Sequence, residues 1–273
     1  MIRTSIIAAK LASGLAVPPK TQLYVPPRPA IVKPQHLEMS GNLLAMPVTL
    51  GMMKRKAAAP VSLTYVSSIL SSQSSGSSFT SGSTSFGTTV AAGNTRYLLC
   101  LIHNIWGSGG TDGWTNSCTI GGVAATKLFR ANAYAGQVTD CWYIENNTLT
   151  SGTFAVTWNG TGSQYLKTGF SIWQLVNPAS ITPVVTTNAA SATSITVSVS
   201  RSSSQVGLAM ASPNVDSGSN ISWANASLKY NILGNSTTRW SAAQLDTQTG
   251  TFNVTGTQGA TGNIMRVTAA VWS

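Results

Sequence analysis

Few side chains in this sequence are equipped for chemistry, and their spacing is more telling than their number. The chain holds two histidines (His36 and His103), three cysteines and six carboxylates. Five of the acids, Asp112, Asp140, Glu145, Asp216 and Asp246, are scattered through residues 61–273. Asp140 and Glu145 stand five positions apart in a strand-like stretch. They therefore point to opposite faces and do not make a glycosidase pair by themselves. As strand-end acids they are expected to be solvated. No His-x-x-x-His and no paired-cysteine motif occurs, so a metal site would need ligands converging from far apart. The many serines include no G-x-S-x-G elbow, and two histidines leave little room for a Ser-His-Asp triad. GSGGTDG (107–113) matches neither G-x-G-x-x-G nor a phosphate loop with its lysine, and reads as a plain loop. The sequence thus predicts no enzyme and no cofactor, with His103 a hydrogen-bonded structural residue.

The remaining reactive and aromatic types point the same way. Cys100, Cys118 and Cys141 are odd in number at no metal-like spacing. Buried free thiols fit the habits of the residue, with one disulfide plus one free thiol as the alternative. Eight tryptophans could form a sugar-binding platform. Trp142, Trp158 and Trp173 sit in alternating or dense apolar stretches, which places them in the core. Trp106 and Trp114 flank the GSGGTDG loop and are the candidates for stacking on a ligand.

The elements that must position these residues follow from composition. Only 8% of residues are charged, against about 25% in an ordinary soluble domain. Disordered chains stay soluble through charge, so most of this chain folds. Its polar surface must come from Ser, Thr, Asn, Gln and Gly, which suit exposed strand faces and tight turns. The net charge of +10 is concentrated in an arm. Residues 1–60 carry eight bases and one acid, whereas 61–273 carry eight bases and five acids. Eight of the 11 prolines lie at or before Pro60, and every tryptophan lies after it. That shift predicts two parts: an extended, basic, proline-rich arm (1–60) and a Ser/Thr-rich β domain (61–273).

Within the arm, Ile7, Leu11 and Leu15 permit a short helix with one apolar face. Residues 1–17 are faintly like a signal peptide, but Lys10 splits the apolar run. From Val17 to Pro34 the prolines remove backbone donors and hold their predecessors extended, which reads as polyproline II. A segment this apolar, ending in Lys54-Arg55-Lys56, is expected to dock on a partner through Pro18, Pro19, Tyr24, Pro26, Pro27, Arg28, Lys33, Lys54, Arg55 and Lys56. Nucleic acid is not the expected partner, because Tyr24 is the arm's only aromatic for stacking on bases. No stretch approaches 18 uninterrupted apolar residues, so no membrane span is expected.

After Pro60 the pattern has period two. Phe154–Trp158, Ile195–Val199 and Met265–Trp272 alternate as half-buried antiparallel strands. The denser runs Tyr97–Ile102 and Phe170–Val176 read as central strands buried on both faces. Turn clusters such as AAGN, NGTGS and TQTG separate many short strands, which predicts an all-β antiparallel sandwich or jelly roll. The Ser-rich stretch 67–85 reads as a surface loop or weak edge strand. No internal repeat is strong enough to identify.

The order of these segments is familiar. SFGTTVAAGNTRYLLCLI is followed by CTIGGVAATKLFR, CWYIEN, TFAVTWNGTG and FSIWQLVNP, and later by SITVSVSRSSSQVGLAMAS, RWSAAQLDTQTGTFNVT and IMRVTAAVWS. Across roughly 84–273 this resembles the β-sandwich modules of tailed-bacteriophage virion structural proteins. The resemblance implies a virion location, on the capsid's outer surface or the tail. It also implies a homo-oligomer whose arm anchors it to the major capsid protein or another virion protein. A capsid decoration or cement protein is the expectation. The alternative is a tail-fibre or receptor-binding module that recognises host surface glycans.

Overall fold

The computed structural model describes residues 59–71, 78–106, 115–132, 137–158, 166–213, 220–234, 238–259 and 264–273. The arm residues from Met1 to Lys56, including every arm position named above, lie outside the described residues, as do the segments joining these stretches.

Among the described residues every regular element is a strand. In chain order they are β1 (Ser62–Ser71), β2 (Ser78–Thr80), β3 (Thr84–Ser85), β4 (Arg96–Trp106), β5 (Thr115–Ile120), β6 (Val123–Ala124) and β7 (Thr126–Asn132). Then come β8 (Gln137–Glu145), β9 (Ser151–Gly152), β10 (Phe154–Trp158), β11 (Leu166–Val176), β12 (Val184–Ser191) and β13 (Ser194–Arg201). The last are β14 (Val206–Pro213), β15 (Ser222–Ala224), β16 (Ala226–Gly234), β17 (Thr238–Leu245), β18 (Gly250–Thr257) and β19 (Ile264–Trp272). The expected all-β antiparallel architecture is what the chain adopts.

The strands form two sandwiches in succession. The first pairs a five-stranded inner sheet, β1-β11-β4-β8-β7, with an outer sheet, β2-β10-β5-β6. The second pairs a five-stranded inner sheet, β12-β19-β14-β17-β16, with an outer sheet, β13-β18-β15. Phe86, Leu98, Ile102, Phe154 and Phe170 fill the first sandwich, and Val197, Ala211, Val254, Met265 and Val267 fill the second. A third core joins the two inner sheets back to back, through Leu99, Leu101, Trp173 and Leu175 on one side and Leu208, Met210, Trp240 and Trp272 on the other. The result is four stacked β layers. Trp173, Trp240 and Trp272 are wholly buried there, each contributing on the order of 4–6 kcal/mol of apolar burial.

The two sandwiches have one topology. If β1, β2, β4, β5, β7, β8, β10 and β11 are matched in order to β12 through β19, both sheet orders of the first sandwich become those of the second. Even a bulge recurs, between Lys127 and Phe129 on β7 and between Leu228 and Tyr230 on β16. The structure therefore contains the internal repeat that the sequence does not reveal. One shared string survives at matched positions, Gly-Thr-Phe-x-Val-Thr at 152–157 and 250–255. Elsewhere, strand patterning tolerates so many substitutions that the repeat is erased.

Burial explains which strands read correctly. β4 and β11 lie between two cores and are apolar on both faces, as their dense runs predict. β10 and β13 are half-buried, as their alternation predicts. β19 differs: it is buried on both faces rather than one. Arg266 and Thr268 give it an amphipathic pattern, but they face the other inner sheet and not water. After β3, Phe86 turns inward and is fully buried, and its amide donates to the Thr150 carbonyl.

Candidate functional site

The two inner sheets fix a polarity. Gln244 Nε2 donates to the Leu63 carbonyl at 3.0 Å near one end, and Arg266 Nη1 donates to the Ala131 carbonyl at 2.8 Å near the other. Both sandwiches therefore run in the same sense, with a common base and a common apex. At the apex β1, β4, β7, β10, β12, β14, β16 and β18 end, and β2, β5, β8, β11, β13, β15, β17 and β19 begin. The chain enters at the base, where Ala59 is held by Asn177.

Asn177 is the junction between the sandwiches. It takes a left-handed conformation (φ 53°), which asparagine tolerates better than most residues. Its Oδ1 accepts from the Thr95 amide at 2.9 Å. Its Nδ2 donates to Asn94 Oδ1 at 2.9 Å and to the Ala59 carbonyl at 3.4 Å. A groove of about 510 Å³ opens beside it, lined by Ala59, Asn94, Asn177, Ala179, Ser204 and Ser273. Arg96, fully buried next to this junction, donates to the carbonyls of Phe86, Asn146 and Leu149, and burial lowers its pKa.

Under the apex, polar residues seal the first core. Arg130 and Asp140 face each other across the β7–β8 hairpin. Arg130 Nε meets Asp140 Oδ1 at 2.6 Å and its Nη2 meets Oδ2 at 3.0 Å, a two-pronged pair on a fully buried carboxylate. The Thr115 amide also donates to Asp140 Oδ2, while the Thr115 carbonyl accepts from Arg130. Asn104 donates to Thr115 Oγ1 at 3.1 Å and accepts from Thr168 Oγ1 at 2.9 Å. These groups satisfy one another, as buried polar networks must. Asp140 is thus not a solvated strand-end acid, because its hairpin register sets it opposite Arg130 on the core side. Glu145, on the other face of β8, is exposed as expected.

His103 is structural. It is buried between the inner sheets, with Nε2 2.6 Å from Tyr230 Oη and Nδ1 3.3 Å from Thr139 Oγ1. Burial lowers its pKa to about 3 and raises that of Tyr230. Arg266 lies between the same sheets, its pKa lowered to about 10 by burial. The cysteines are three buried free thiols. Cys141 is shifted up chiefly by burial, and Cys100 by its hydrogen bond with Cys118 and by burial. Trp142, Trp158 and Trp173 are core residues. Trp106 ends β4 at the apex, and Thr115, which follows Trp114 in sequence, begins β5. The Trp106 side chain and all of Trp114 lie outside the described residues.

No group of three or more His, Cys, Asp or Glu side chains gathers as a metal site among the described residues. Compared with protein-family models, curated proteins and solved structures, the chain matches none. The candidate sites are therefore the two ends of the β domain: a base where Ala59 meets Asn177, and an apex above the Arg130–Asp140 pair.

Proposed function

We propose that this protein is a structural component of a virion, a capsid decoration or cement protein displayed on the outer surface. Residues 1–60 dock on the major capsid protein or another virion protein, and the double sandwich projects from the shell. The observation that carries the reading is the polarity: the described β domain begins at its base, with Ala59 against Asn177, at the end opposite the Arg130–Asp140 pair. A tether at one end of a rigid body leaves the other end outward. An extended arm loses conformational entropy on docking but can span several subunits, and a lattice of copies adds avidity. The reading assigns no catalysis and no cofactor. The test is reconstitution on particles depleted of the protein. The full chain is expected to restore a fixed copy number per particle. A chain lacking 1–60, or the full chain carrying K54E, R55E and K56E, is expected to bind at a small fraction of that number. Equal occupancy by the truncated chain refutes the anchor.

A second reading, a receptor-binding module for host glycans, is favoured by one feature. β4 ends at Trp106 and β5 begins at Thr115, next to Trp114 in sequence, at the end of the β domain opposite Ala59, and tryptophan rings are suited to stacking on sugar rings. A glycan array probed with the full chain and with Trp106→Ala and Trp114→Ala tests it. A specific signal lost in both variants supports this role, and a blank array removes it.

A further inference from the structure

Each inner sheet ends in two edge strands, and an unprotected edge is a template for another chain. Three of the four edges are disrupted. β1 is bulged between Tyr65 and Ser67, β7 between Lys127 and Phe129, and β16 between Leu228 and Tyr230. A bulge twists an edge and breaks the regular row of donors and acceptors. The outer sheets protect their edges differently. β2, β6 and β15 are three residues long or shorter, and the Thr196 carbonyl on β13 is capped by the Asn188 amide at 2.9 Å.

β12 has none of these protections. It pairs with β19 in unbroken register over eight residues, from Val184↔Val271 to Ser191↔Ile264. Its sequence, VVTTNAAS, contains no charge, proline or glycine. No backbone hydrogen bond joins its other side to any further strand among the described residues. Each face of the strand also carries an exposed valine: Val184 is 69% and Val185 38% exposed, and they point to opposite sides of the sheet. Its counterpart in the first sandwich, β1, is bulged and packs Leu63 and Tyr65 into the central core.

We infer that β12 is an oligomerisation edge, and that its occupant is β12 of a second copy of this chain, paired antiparallel about a two-fold axis. An uncharged strand meets no like-charge repulsion from its own copy, so it is self-compatible. The arm's densest stretch, 17–34, is a poor competitor because its prolines remove backbone donors. Centred on Thr187, the pairing sets Val184 opposite Ala190 of the second copy and Val185 opposite its Ala189. It covers both valines and joins two inner sheets into one of ten strands. The inference is independent of the attachment role proposed above.

The test is sedimentation of the full chain at roughly 100 μM, well above a micromolar dissociation constant. A dimer is expected. V184K with A190K sets like charges directly opposite at two symmetric rungs, and is expected to weaken the dimer about tenfold or more. V184K with A190E sets opposite charges at the same rungs and is expected to restore it. At concentrations where all are monomeric, the wild type and both variants should melt together, because both side chains are exposed. A monomeric wild type, or a dimer indifferent to V184K/A190K, overturns the inference. Failure of V184K/A190E to restore the dimer overturns the antiparallel register.

Discussion

His103 shows how far a titratable residue can be removed from its solution chemistry. The folded protein holds the imidazole neutral against Tyr230 and Thr139, with a pKa of about 3. The unfolded chain takes up a proton below about 6.5. The neutral form's contribution to stability is therefore complete above that pH and is lost progressively as pH falls from 6.5 toward 3. The denaturation midpoint of the wild type should drop across this window. In H103Q, which has no proton to gain, the slope should be flatter whatever its starting stability. The Arg130–Asp140 pair makes a second prediction, because Arg130 compensates a fully buried carboxylate. Arg130→Met should cost about 3–5 kcal/mol in chemical denaturation, and R130M with D140L should recover much of that loss. The cysteine and tryptophan readings at this scale needed only residue habits, whereas the Asp140 reading needed its hairpin partner. Arg130 and Asp140 flank a short connection between two strand-like stretches, and that spacing was the signal available.

Among the elements, β11 is the most tightly constrained, because it lies between two cores. At Gly169 a Cβ would sit 2.8 Å from Cε3 of Trp240, which packs over it from the other inner sheet. Gly169→Ala should destabilise by about 1–3 kcal/mol, as overpacking does. Gly82→Ala, where nothing lies within 4 Å, is the control and should melt with the wild type. Strand reading succeeded where one face was wet, as for β10, whose bounds match its alternation residue for residue. It missed β12, whose small uncharged residues carry no apolar alternation because neither face of that strand enters a core. It misjudged β19 because Arg266 and Thr268 look outward in sequence yet face another sheet.

For the whole molecule, the decisive fact is that the duplicated sandwiches share a core. Leu101 and Trp173 of one pack with Met210 and Trp240 of the other, so neither inner sheet is complete alone. The described β region should unfold in one calorimetric transition, with calorimetric and van't Hoff enthalpies equal. Two separated transitions would show that the central core couples the halves weakly. Each half expressed alone should self-associate through its exposed inner face, since contiguous apolar surface of this kind is rarely left in water. The reversed order of the sheets across the interface, with Tyr65 of β1 stacked on Tyr230 of β16 at 5.8 Å, is that of an isologous pair within one chain.

By itself the sequence determined what local chemistry can encode: an all-β chain, a basic proline-rich arm, turn positions, buried cysteines and a core of aromatics. Backbone donors, side-chain branching and alternation depend on neighbours in the chain, so they are legible there. The tertiary structure alone decided the two-sandwich repeat, the third core, the pairing of Asp140 with Arg130 and the open edge at β12. Each of these depends on which faces meet across long stretches of chain, and a strand's sequence records that a face is buried without recording what buries it.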